Sequence, residues 1–146
     1  MPIQKLTPEL KAQIEKEIEP LRYAQVLCSA IKTSQDAINA SISKWELICK
    51  YTQHRRKKWD VTQNPIPNPI QTLISQNCGL CARYKTFDEH CGKCPIVLLI
   101  GNDERCTARG KSTFSNVCFG SKHPKHMLDL LKKVKVLMLD NPNYTD

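Results

Sequence analysis

Four cysteines fall within seventeen residues of the stretch NCGLCARYKTFDEHCGKCP. Cys78 and Cys81 form one C-x2-C pair, nine residues follow, and Cys91 and Cys94 form a second pair. Two residues between thiolates let both sulfurs of one tight turn reach a single ion at about 2.3 Å. Gly79 and Gly92 suit such turns, in which the backbone folds sharply with its N–H groups toward the sulfurs. Together the pairs predict a closed tetrahedral zinc site on Cys78, Cys81, Cys91 and Cys94. Such an ion has no open position at which to activate water, so its role is to hold the fold, to which a structural zinc contributes on the order of 10 kcal/mol. Cys106, twelve residues beyond Cys94, is an alternative ligand in place of Cys91 or Cys94. An iron–sulfur cluster also takes four thiolates, and Cys94-Pro95 matches the Cys-Pro that closes ferredoxin motifs. The tight third cysteine of those motifs is missing, which favours zinc.

The remaining chemistry-bearing residues point away from catalysis. Cys28 and Cys49 lie on apolar helical stripes, and Cys118 sits in NVCFG; all three read as packed thiols. His90 directly precedes Cys91 as an outer group, and His123 and His126 flank Pro124, but no His pair with Asn or Asp follows the cysteines in a nuclease arrangement. The run Ala108-Arg109-Gly110-Lys111-Ser112 fails the spacing of a phosphate loop, and no nucleophile elbow or paired-acid signature is present. The chain is therefore not expected to be an enzyme. Arg55, Arg56, Lys57, Lys58 and Trp59 form a basic tract whose cations suit phosphates while the indole stacks on a base. The same tract reads equally well as a solvated helix end, where cations favour the dipole.

The elements that must carry these residues are helical. Thr7-Pro8-Glu9 is a helix start, followed by Leu10, Ile14, Ile18 and Leu21 at helical spacing, with Pro20 expected to kink or divide the helix. A second helix over SQDAINASISKWELICKYTQ places Ile38, Ile42, Trp45 and Cys49 on one stripe, with Ser34 as its cap. A third, HPKHMLDLLKKVKVLMLD, puts Met127, Leu131, Val134 and Met138 on one face and Lys132, Lys133 and Lys135 on the others, and ends at Asn141-Pro142 in a short frayed tail. The expected fold is mainly α: an N-terminal helical hairpin or kinked helix and a C-terminal amphipathic helix, packed around an irregular zinc-knuckle module. The boundaries are 1–59 for the N-terminal helical region, 60–76 for a Pro-rich linker built on NPIPNPI, and 77–146 for the Cys-rich module with its helix.

At 146 residues and 40% apolar composition the chain suits one compact domain. Its net charge of +8 is uneven: residues 1–53 carry seven Lys/Arg against six Asp/Glu, residues 54–146 fifteen against eight. The cysteine-bearing part is thus the basic part, which suits nucleic acid or an acidic protein face. No segment has the ~18 consecutive apolar residues of a membrane span, and the charged N-terminus lacks a secretory pattern. Eight cysteines in a chain expected to stay in a reducing cytoplasm point to metal rather than disulfides.

Trp45, Asn77, Cys78, Leu80, Cys81, Tyr84, Cys91, Cys94, Pro95, Ile96, Cys106, Ser112 and Phe114, followed by a leucine-rich helix, form a pattern over the last two thirds of the chain. In this it resembles small uncharacterised Cys-rich proteins encoded by tailed phages and prophages. The long basic and Pro-rich stretch between Trp45 and Cys78 departs from that pattern. The resemblance implies a viral origin, a metal-bound core and a host cytoplasm as the place of action, but no activity. The expected function is a zinc-stabilised, non-catalytic module that binds a host or viral protein through its terminal helix. The alternative is a nucleic-acid-binding zinc protein that uses the basic half.

Overall fold

The computed structural model describes residues 7–22, 29–51, 73, 78–84, 94–105, 110–118 and 122–146. Every regular element among them is helical, as the apolar periodicities predict. In chain order these are α1 (Pro8–Arg22), α2 (Ser34–Lys50), α3 (Gly79–Tyr84), α4 (Pro95–Leu99), α5 (Thr113–Cys118) and α6 (Lys125–Leu139), with 3-10 turns at Asn102–Glu104 and Pro142–Tyr144. None is long and apolar enough to cross a membrane.

The central element is α2, which packs against α1, α3 and α6. Its N-cap is Thr33, one residue before the expected Ser34. The Thr33 hydroxyl accepts from the Asp36 N–H at 3.0 Å, and the Asp36 carboxylate accepts from the Thr33 N–H at 3.1 Å. This reciprocal pair satisfies donors that the first helical turn leaves open. Ser34 is instead buried as the first helical residue. Ile38, Trp45 and Ile48 face the core, where Met127, Leu131, Val134 and Met138 of α6 meet them, all nearly devoid of solvent contact. That match of two apolar stripes is what the helical spacing predicts. Cys49 lies at the border of the stripe, half-buried, and burial pushes its thiol up to about 11.

Three expectations are corrected. Pro20 lies inside α1, which continues through it to Arg22, so it does not divide the helix; a proline in the last turn leaves little helix beyond it to disturb. The segment after α6 is not frayed. Pro142–Tyr144 forms a 3-10 turn capped by Asn141, and Tyr144 is buried edge-on against Tyr84. The Asp146 carboxylate accepts from the Ser34 N–H and pairs with Arg83, while Gln35 donates to the Tyr144 carbonyl. The tail therefore ties the start of α2 to the end of α3. Finally, the apolar face of α6 is closed in the core, so it is not the exposed binding element expected of it.

Of the expected 60–76 linker, Leu73 alone is described; it is buried at 2% exposure and belongs to the shared core. Elements from 1–59 and from 77–146 pack against each other through α2, around one hydrophobic cluster.

On the face of α2 turned away from the cysteines, an open groove of about 790 Å³ runs between α1 and α2. Leu21, Ile31 and Leu47 line it, and Glu17, Asp36 and Glu46 add acidic groups. Glu17 also accepts from Lys50 at 2.6 Å and from the Tyr51 hydroxyl.

Candidate metal centre

Cys78 immediately precedes α3 and Cys81 lies in its first turn, so three residues of spacing become one helical turn rather than an irregular knuckle. The Ala82 N–H bonds the Cys78 carbonyl at 3.0 Å. Cys94 is the N-cap of α4, in extended conformation at φ −66° and ψ 130°. Pro95 follows at the first helical position, where its fixed φ and missing N–H are harmless. Each cysteine pair thus has a described member at the mouth of a short helix.

What fixes α3 is its approach to α2. Gly79 is not in a left-handed conformation, so the turn argument for it fails. A Cβ there would stand 2.5 Å from the Ala37 carbonyl oxygen and 2.8 Å from the Ala40 Cβ. The two helices touch backbone to backbone, and only glycine allows it. One residue on, Leu80 is fully buried and its N–H donates to Ser41 Oγ at 3.2 Å. Ser41 Oγ also lies 3.5 Å from Cys78 Sγ.

Cys78, Cys81 and Cys94 line one narrow cavity of about 140 Å³. Trp45, Ile96, Phe114 and Met127 supply its apolar walls, with the rings of Trp45 and Phe114 edge to face at 6.3 Å. Two ionisable side chains join them: Lys44 of α2, and Glu104, whose carboxylate accepts from the Thr113 N–H at 3.1 Å and its hydroxyl at 3.3 Å. A hydrogen bond from the Cys81 thiol and the Lys44 ammonium hold the Cys78 thiol well below its usual range, against the opposing effect of burial. Cys118 stands apart in character: burial raises its thiol, as for a packed cysteine.

Among the described residues, no group of three or more His, Cys, Asp or Glu side chains is drawn up tightly enough to hold an ion. The donor set still fits a thiolate-bound metal in kind. Three sulfurs from two short helices share one cavity, and one of them is biased toward the thiolate that zinc requires. Cys91, the fourth expected ligand, lies outside the described residues, as do Cys28, Cys106, His90 and the tract Arg55, Arg56, Lys57, Lys58 and Trp59. Of the other histidines, His126 is exposed on α6, and His123 Nδ1 accepts from the Lys125 N–H.

Sequence reading missed Ser41, Lys44 and Glu104. The available signal was Ser41 and Lys44 three apart on the apolar stripe of α2, two polar residues among Ile38, Ile42 and Trp45. Several residues of the phage-type pattern, among them Trp45, Cys78, Cys81, Cys94, Ile96 and Phe114, meet around this cavity although they span some seventy positions. No family model matches the sequence, and neither a curated protein nor a solved structure does.

Proposed function

We propose that the chain is a zinc-stabilised, non-catalytic binding module, with Cys78, Cys81, Cys91 and Cys94 as four thiolate ligands and a host or viral protein as partner. The observation that carries this reading is the shared cavity. Three of the four sulfurs line a space of about 140 Å³ walled by apolar side chains, which accommodates an ion and its ligands but no substrate of ordinary size. Zinc there closes the α2–α3 contact onto α4 and so stabilises the core.

The surface assigned to the partner is the outer face of α6. Lys125, Lys132 and Lys133 are exposed there together with Val136 and Leu139, and Asp129 is the acidic residue among them. A cationic stripe around two exposed aliphatic side chains complements an acidic, partly apolar protein face. The same lysines support the second reading, a nucleic acid held through its phosphates.

Metal analysis of the purified protein, with the absorption spectrum of its cobalt-substituted form, tests the site: one ion per chain on four thiolates is expected, and a water-bound ion would sink the non-catalytic reading. A pull-down repeated with nuclease and with Val136→Glu/Lys133→Glu tests the partner. Capture of a protein that survives nuclease and is lost in the double variant is expected. Salt-dependent binding to nonspecific duplex or single strand, with no protein captured after nuclease, would replace it with the nucleic-acid reading.

A further inference from the structure

We infer that Lys44 is the charge-compensating cation of the cysteine site, setting how tightly the site holds its metal. The inference rests on the zinc reading above and adds to it a residue that is not a ligand.

A Lys side chain at 1% exposure demands an explanation, because a buried ammonium is costly unless an anion faces it. Lys44 lines the cavity with Cys78, Cys81 and Cys94. It sits one helical turn after Ser41, whose hydroxyl reaches the Cys78 sulfur at 3.5 Å, so both point from one stripe of α2 toward α3. The ammonium stands 5.4 Å from the Trp45 ring centroid, against an aromatic wall of the same cavity. The other ionisable side chain facing this space is Glu104, and it carries the wrong sign.

Zinc with four thiolates leaves two net negative charges, and the apolar walls screen them poorly. Without Lys44 the carboxylate of Glu104 would add to that excess uncompensated. A fixed cation on the most rigidly packed neighbouring helix offsets it. It acts through the sulfurs, favouring their ionised, metal-holding form. The Ser41 hydroxyl, free to donate its proton to Cys78, works in the same direction.

The test compares zinc affinity and the rate of zinc transfer to a competing chelator in wild type, Lys44→Met, Lys44→Gln and Lys44→Arg. Both neutral variants are expected to bind zinc at least about tenfold more weakly, with Lys44→Arg staying within a few-fold of wild type. Thr33→Ala, a destabilising change remote from the cavity, should leave the affinity unchanged. A wild-type protein that binds no zinc would overturn the metal reading itself. Zinc held equally well by wild type and Lys44→Met would overturn only the role of Lys44, as would an Arg variant weakened as much as Met, since packing rather than charge would then be at stake. Should the neutral variants unfold, excess zinc must restore them by mass action; failure to do so also overturns the inference.

Discussion

The two faces of α2 border concavities of opposite kind. On one side lies the narrow cysteine cavity of about 140 Å³, reached by Ser41, Lys44 and Trp45; on the other lies the open groove of about 790 Å³ against α1. The smaller one concentrates the chemistry: three thiols, an ammonium and a carboxylate within apolar walls, with a helix pressed backbone to backbone beside it. The larger one is a surface feature whose charged groups, such as Glu17 and Lys50, pair with each other next to water. Size and function therefore run in opposite directions here. In a low-dielectric pocket each charge influences its neighbours strongly, whereas the same charges on a wet surface are screened.

The comparison makes steep predictions on the cysteine side and shallow ones on the groove side. Chelating the metal, or replacing Cys78 or Cys94 by Ser, is expected to have the largest effect, up to about 10 kcal/mol of folding free energy. It would appear as loss of far-ultraviolet helical signal and of a cooperative melt. An unchanged melt after chelation would erase the distinction between the faces. Gly79→Ala comes next, since its methyl group has no room beside Ala37 and Ala40; chemical denaturation should show a loss of about 1–3 kcal/mol. Thr33→Ala, at the α2 cap and belonging to neither concavity, should cost about 1 kcal/mol by the same measurement.

The smallest effect is expected in the groove. Glu17→Gln removes a carboxylate whose pKa is lowered, chiefly by its hydrogen bond with Lys50. Because the folded state depresses this pKa, its stabilising effect is present above the unfolded value of about 4.3 and is lost as pH falls through the folded value. Melting curves of wild type and variant should thus differ slightly at neutral pH and converge in acid. A wider gap at low pH would contradict the sign.

Much of the helical framework was legible because it is written in local spacing. Met127, Leu131, Val134 and Met138 recur at one helical period, and all four are buried on α6. The cysteine pairs were legible as pairs for the same reason. What escaped depends on partners distant in the chain. Gly79 looks like a turn glycine until α2 lies against it, and Ser41 and Lys44 look like solvent-facing interruptions until Cys78 arrives 37 and 34 positions later. Thr33 and Ser34 are both good capping residues, so sequence alone did not choose between them; Asp36, three after Thr33, completes the reciprocal pair. The tail after Pro142 carries few apolar residues and reads as frayed, yet Tyr144 and Asp146 find partners at Tyr84, Ser34 and Arg83.

The bond from Ser34 to Asp146 also has a meaning in time. Its two residues lie 112 apart in the chain. At a ribosomal pace of ~5–20 residues per second they emerge on the order of ten seconds apart. Through that interval α2 exists without α3, without α6 and without the carboxylate at its mouth, its Ile and Trp side chains uncovered. A nascent chain of this protein passes through its most aggregation-prone moment in the middle of its own synthesis, and the helix everything else is built on is among the last to be sheltered.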